Sequence, residues 1–549
     1  MAELFTSTRH GGGSVWSKVL SVVLVTAVIY LFFLSGFTNS IPTRIADDYP
    51  LGDEEVNYMT SLTMFRGGKW YEDFAIVYPP GRYILLSGLY HLVSPTFPTY
   101  HLYWRIVGLI TPVVLFFFSR LVYRRMGGEV VLANAGAALA TMTYLGLVRS
   151  MQEGHVFLML FLMTLLSKKM ESKRQYLAGI LLGITYLLRL DLGIMATLAA
   201  TMSYLTSQPR FPLKKIIMGS LTVWLPVLGV ITVHGSIGNF FHDTLIVGLW
   251  HQPRQMSLPL PIHELWLVYW AGLVVLVSLL GSMIARAKGQ KSELALKTVA
   301  GTGILLYAAV LGRSDEAHLW YGLAFLPLAV GYSLLCLKLF KFNLVALVAS
   351  LMIVGWSYVM LKLKSPPLYL ASALLLIYLC SRIPRKLLRG MAVWGLIFGL
   401  TIFHSLSYLE LRLRLPHSPA REVLAYETFR NDPGETAGLE LGPETVNMLK
   451  EVKRLTSGKT VFIYPDHTLY YEFLGQANPS RYFFMIGESS KLDEQELTRS
   501  AQTVDFILLF PRSGRSEGSP TEEWILANTA VEAEYNVGKM KVELRQKTQ

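Results

Sequence analysis

The chain has 549 residues, 52% of them hydrophobic and only 16% charged, with a mean hydropathy of +0.40 and a formal net charge of +12. Soluble globular proteins carry about 25% charged residues, so the composition excludes that class and predicts a chain built largely of membrane-spanning helices. The positive charge does not argue for nucleic acid, because Lys and Arg gather in short loops between apolar stretches, where membrane orientation accounts for them.

In chain order, residues 1–15 form a short lead containing "GGGS". The apolar run from Trp16 to Phe37 has no small-residue cleavage site and reads as a retained helix rather than a removed signal peptide. Basic clusters then recur: Arg120, Arg124 and Arg125; Lys168, Lys169, Lys173 and Arg174; Arg210, Lys214 and Lys215; Arg286, Lys288 and Lys291; Lys338 and Lys341; Arg382, Arg385, Lys386 and Arg389. The positive-inside rule puts all of them, and the amino terminus, in the cytoplasm. At roughly 20 apolar residues per span this gives about 13 spans, at 16–37, 104–123, 129–147, 154–167, 176–190, 192–206, 215–233, 265–285, 293–312, 319–337, 343–361, 367–381 and 391–409. The odd count leaves the segment from residue 410 outside. Cys336 and Cys380 both fall within predicted spans and imply no disulfide framework.

The outward segments hold most of the candidate chemistry. Residues 37–103 form a long first loop with five carboxylates close together: Asp47, Asp48, Asp53, Glu54 and Glu55. "DEEVNYMTSLTMFRGG" predicts an amphipathic helix on the membrane surface, opened by Asp53 and ended by Gly67 and Gly68. "YPPGRYILLSGLYHLV" predicts a second helix, started by Pro79 and Pro80 and too short to span. An acidic loop or helix cap is the plain reading of Asp47 and Asp48. Asp53, fixed at a helix start beside the bilayer, also suits a general base. Glu153 and His155 stand in the next outward turn as candidate divalent-metal ligands. Arg189 and Asp191 read as an ion pair or cap at the outer end of a span. Arg313, Asp315, Glu316 and His318 end another, and the arginine there suits a phosphate. All of these clusters are predicted on one side of the membrane.

Asp53-Glu54, Gly67-Gly68 and Tyr78-Pro79-Pro80-Gly81, in a loop between a single first span and a second opening at "YWRIVGLI", resemble the pattern of the GT-C superfamily of membrane glycosyltransferases. The groups most similar are the protein O-mannosyltransferases, the aminoarabinose transferases and the bacterial Rgt-type proteins. "GILLGITYLLRLDLG" resembles a small-residue-rich helix of the same families. The resemblance implies transfer of a sugar, with inversion, from a polyprenyl-phosphate carrier to a glycolipid, polysaccharide or protein acceptor. It implies Asp53 as the base with Glu54 beside it, and Arg189, Arg313 and Arg105 as candidate donor-phosphate ligands. Oligosaccharyltransferase-related members hold a divalent metal (Mg, Mn or Zn) with a first-loop Asp and an acid-x-His pair, which implies Asp47 or Asp48 with Glu153 and His155. Mannosyltransferase-like members need none. Tyr78, Asp191, Asp315 and His318 complete the candidate site.

The tail, 410–549, has fewer long apolar runs and more charge. "KTVFIYP" and "VDFILLFP" predict strands and "DHTLYYEFLG" a helix between them. Tyr470 and Arg481 read first as packing or surface residues. The predicted architecture is therefore a polytopic α-helical membrane protein of GT-C type, residues 16–409, with a small extracytoplasmic α/β domain, in a bacterial inner or plasma membrane. Two other readings are a lipid or glycan transporter or flippase, which would carry ionisable residues at mid-membrane and repeat-like halves, and a non-catalytic assembly subunit of the same fold.

Overall fold

The structure, a computed structural model, describes residues 44–45, 53–126, scattered positions from 130 to 141, 153–167, 171–206, 213–251, 293–310, 328, 427–428, 440–441, 443–465, 467–482, 491–510, 519–538 and 540–548. The spans predicted at 16–37, 265–285, 343–361, 367–381 and 391–409, with more than half of 129–147 and nearly all of 319–337, lie outside the described residues.

The first loop forms two helices, α1 (Asp53–Phe65) and α2 (Gly81–Leu92). α1 stops where Gly67 takes a positive φ of 86°, which suits a residue without Cβ. α2 starts directly after Pro79-Pro80, with Pro80 at its N-cap. α3 (Phe97–Arg125) has Pro98 in its first turn and Arg124 and Arg125 in its last, where cations oppose the negative end of the helix dipole. The bundle continues through α4 (Glu153–Leu165), α5 (Ser172–Leu188), α6 (Leu190–Thr206), α7 (Leu213–Val233), the short α8 (Ile237–Phe241), a π-helical stretch (His242–His251) and α9 (Glu293–Val310).

Among the described residues, Leu102–Arg125 and Leu213–Val233 are each long and apolar enough to cross a bilayer. α7 shows Leu213, Ile217, Met218, Leu221, Leu225 and Val233 to the outside, an apolar face that water would not tolerate and lipid does. α5 and α7 meet where Gly179 and Gly219 let the two backbones touch: a Cβ on either glycine would collide with the other helix's carbonyl oxygens. Ser220 Oγ donates to Gly179 O at 2.8 Å across the same crossing.

The carboxyl-terminal unit contains α10 (Pro443–Leu455), α11 (Tyr470–Leu474), α12 (Lys491–Thr503), α13 (Pro520–Asn528) and a four-stranded sheet in the order β4-β5-β7-β6. β4 (Val461–Tyr464) and β5 (Phe506–Leu509) run parallel, as a β–α–β connection requires. β6 (Thr529–Val537) and β7 (Met540–Lys547) add an antiparallel hairpin turned at Gly538. The predicted helix over "DHTLYYEFLG" shortens to the five residues of α11, ended by Gly475 at φ 68°.

Every residue of β4 and β5 is buried, and alternate residues serve opposite faces. Phe462, Tyr464, Ile507 and Leu509 pack with Leu497, Ala501 and Ile525. Val461, Ile463, Phe506 and Leu508 face the other way, into a core that also holds Tyr58, Met59 and Leu62 of α1 and Tyr83, Leu86 and Tyr90 of α2. This corrects the expectation of an amphipathic helix lying on a membrane surface. α1 is buried nearly all round, including Glu55, Asn57, Thr60 and Ser61, because α2 meets Asn57 through Arg82 and Ser61 through Tyr90, while the carboxyl-terminal unit meets Glu55 at Leu469. A small second sheet, β1 (Arg44–Ile45), β3 (Glu440–Leu441) and β2 (Glu427–Thr428), joins the first loop to the tail again, with Arg44 opposite Glu440 in parallel register.

Candidate active site

The described candidates converge at one end of the bundle. α2 begins against the end of α5: a Cβ on Gly81 would lie 2.5 Å from Leu187 O. The next residue, Arg82, enters a polar centre that four helices share. Its Nε donates to Glu153 Oε1 at 2.5 Å, at the start of α4. Its Nη1 donates to Asn57 Oδ1 of α1 at 3.4 Å, and its guanidinium carbon stands 5.1 Å over the Trp104 ring of α3. The Arg82 and Glu153 side chains are 4% and 3% exposed, so this is a buried ion pair rather than a surface one. Glu153 Oε2, Tyr103 Oη and Trp104 Nε1 are buried and have no hydrogen-bond partner among the described residues. A cluster with one acceptor and two donors so placed is suited to a polar ligand.

Arg189 lies beside this centre, at the junction of α5 and α6. Gly154 follows Glu153 directly, and a Cβ there would meet Arg189 Cγ at 2.8 Å. Arg189 Nε donates to Asp191 Oδ1 at 2.8 Å, and a second guanidinium nitrogen bonds the other carboxylate oxygen, giving a bidentate pair that fixes the plane of the arginine. His155 is buried in the first turn of α4, within electrostatic range of Asp191. Tyr78 ends the stretch before α2, and Tyr71 Oη donates to its carbonyl at 2.9 Å.

Asp53 and Glu54 open α1, one turn before Asn57, and are described in backbone only. The helical period sets Asp53 and Asn57 on one stripe, so the turn carrying Asp53 adjoins the Arg82 centre. Arg105 sits in α3, one residue past Trp104, also in backbone only. Asp47, Asp48, Arg313, Asp315 and His318 lie outside the described residues.

The candidate metal ligands Glu153 and His155 lie close in the chain, and their expected first-loop partners Asp47 and Asp48 lie outside the described residues. Both fall in the first turn of α4, where residues two apart point to different sides of the helix. Glu153 is engaged by Arg82, and His155 lies near Asp191. Among the described residues no group of three or more His, Cys, Asp and Glu side chains is placed to share an ion.

Sequence reasoning missed Arg82, Asn57 and Asp243. Arg82 carried a usable signal: a cation in the first turn of a helix opposes the dipole, so it needs a carboxylate elsewhere. Asp243 lies in the π-helical stretch and is buried, with Arg481 Nη1 donating to its Oδ2 at 2.7 Å. Burial raises the Asp243 carboxyl above its ordinary range, against the pull of Arg481 and His242. Tyr470 is buried and stacked on His467 with ring centroids 5.4 Å apart, and Arg481 is held by Asp243.

A helical bundle capped at this end by an α/β unit is a fold with solved examples. Two solved structures share the fold. ArnT from Cupriavidus metallidurans bound to undecaprenyl phosphate matches with 14% identity and a TM-score of 0.51, covering 95% of this chain and 97% of that chain. The apo state of the same protein matches with 12% identity, the same TM-score and the same coverage. No protein-family model matches the sequence, and no curated protein matches it significantly.

Proposed function

We propose that the protein is an inverting glycosyltransferase that moves a sugar from a polyprenyl-phosphate carrier to an acceptor at the outer membrane face. The observation that carries this reading is the end-to-end likeness in fold to a protein solved with undecaprenyl phosphate. The gathering of Arg82, Glu153, His155, Arg189 and Asp191 beside the turn that carries Asp53 supports it.

In this mechanism the Asp53 carboxylate takes the proton of an acceptor hydroxyl. The acceptor oxygen attacks the anomeric carbon from the side opposite the phosphate. The bond from that carbon to the phosphate oxygen breaks, the electron pair leaves with the polyprenyl phosphate, and the configuration inverts. Arg189, with Arg105 and Arg313, offsets the charge that develops on the leaving phosphate. Arg82 is committed to Glu153 and Asn57 and braces α1 against α4. The sequence places the basic clusters at the opposite ends of these helices, which favours an outer site. No step requires a metal, and exhaustive chelation is expected to leave transfer intact. A loss reversed by Mg, Mn or Zn would bring in Asp47 and Asp48 as ligands.

Mass spectrometry of lipid retained by the purified protein tests the reading. A polyprenyl phosphate or its glycosyl ester is expected. Retention of bilayer phospholipid alone, with no polyprenyl species displacing it on addition, contradicts it.

A further inference from the structure

Among the described residues, the first loop touches the carboxyl-terminal unit at four separate places along its length. Arg44-Ile45 pairs with Glu440-Leu441. Glu55, buried in α1, accepts a hydrogen bond from the Leu469 backbone N–H just before α11. Arg66, one residue past α1, gives Glu472 of α11 a two-pronged ion pair at 2.7 and 2.8 Å. Ala75 N donates to Arg481 O at 2.7 Å. Between these points α1 and one face of the β4–β5 sheet share a single apolar core. Two of the four contacts grip α1 at opposite ends, and both end on the short segment Leu469–Glu472.

A carboxylate buried in the first turn of a helix would ordinarily turn to its own helix's free N–H groups or to water. Glu55 reaches a backbone donor more than 400 positions away in the chain. We propose that the carboxyl-terminal unit positions the catalytic helix: Glu55 on Leu469 and Arg66 on Glu472 hold α1, and with it the turn that carries Asp53, against the Arg82–Glu153 centre. Glu55 is then a positioning residue, two places from the base and not in contact with substrate. The inference rests on the proposed role of Asp53, and its test separates the two.

The test is hydrogen–deuterium exchange of the full chain in detergent, followed over peptides covering residues 53–66, together with the transfer rate. Glu55→Ala is expected to raise exchange in α1 roughly tenfold or more, the scale of losing one hydrogen bond to a charged group, while α5–α7 exchange as in the parent. Glu55→Gln keeps an acceptor for the Leu469 N–H and is expected to restore most of the protection. Glu472→Arg is expected to loosen α1, and combining it with Arg66→Glu to restore it, a rescue that general damage to the fold would not give. Transfer is expected to fall in kcat with α1 protection, with KM for the lipid donor unchanged. The proposal is overturned if Glu55→Ala leaves α1 exchange at the parent level, if exchange rises equally through α5–α7, if Gln is no better than Ala, or if α1 loosens and transfer proceeds at the parent rate. If the parent itself transfers no sugar while exchange responds as described, the transferase reading falls and the mechanical coupling stands.

Discussion

Arg82 and Glu153 are the costliest residues of the site to separate. A lone charge left in their position has neither water nor partner, so Arg82→Ala or Glu153→Gln is expected to destabilise the fold by about 3–5 kcal/mol. Thermal unfolding of the detergent-solubilised protein reads this directly, and an apolar pair at both positions should recover much of the loss. His467 gives a second residue-scale test. Burial lowers its imidazole from 6.5 to about 4. The folded state therefore holds it neutral while the unfolded chain gains a proton as pH falls. Its contribution is complete above pH 6.5 and is lost as pH drops toward 4, by about 3 kcal/mol from a shift of this size. His467 also has a positive φ of 73°, so His467→Asn, which tolerates that backbone region, is the fitting control. It should flatten the dependence of unfolding on pH between 6.5 and 4, and an unchanged slope would refute the assignment. Arg189 and Asp191 were legible as a pair from their spacing. Arg82 was harder to see because its partner lies 71 positions away.

Among the elements, most helices were readable because each apolar run stands between strong stops. Pro79-Pro80 announces α2, and Gly67 ends α1. α5 and α7 fall within a few residues of the predicted 176–190 and 215–233. Their mutual approach hangs on small residues, so Gly179→Leu is expected to force the pair apart and to abolish accumulation of folded protein, whereas Gly229→Leu, on the same helix as Gly219 but with open space around it, should be tolerated. Size-exclusion recovery after solubilisation distinguishes the two. Gly81→Val should behave like Gly179→Leu, because Leu187 O stands in the way of its side chain. What the sequence concealed was the surroundings of α1. Val56, Met59, Leu62 and Phe65 suggested one apolar stripe, but Glu55, Asn57, Thr60 and Ser61 are buried as well. Asn57 and Ser61 are met by Arg82 and Tyr90 of α2 and Glu55 by Leu469 at the far end of the chain, and no local period reports partners in other elements. The β6–β7 hairpin, by contrast, carried a readable signal: apolar and polar residues alternate from Val531 to Val537 and again from Met540 to Arg545, about a turn at Gly538.

At the scale of the whole molecule, ionisable residues described in the bundle stand at both of its ends. Glu153, Arg189 and Asp191 stand at the end that α1, α2 and the carboxyl-terminal unit cover. Lys215 bonds Ser172 and Lys297 reaches Thr206 O at the other. A chain that moved its substrate across the bilayer would be expected to place such groups near the middle, and this separation favours chemistry at one surface. The central claim is that Asp53, at the head of α1, is the base. Sugar transfer from a polyprenyl-phospho-sugar donor by the Asp53→Asn protein, compared with the parent at equal membrane abundance, tests it most directly. Transfer is expected to collapse by at least about a hundredfold, the scale of losing a general base, while donor binding persists. Transfer at the parent rate would contradict it.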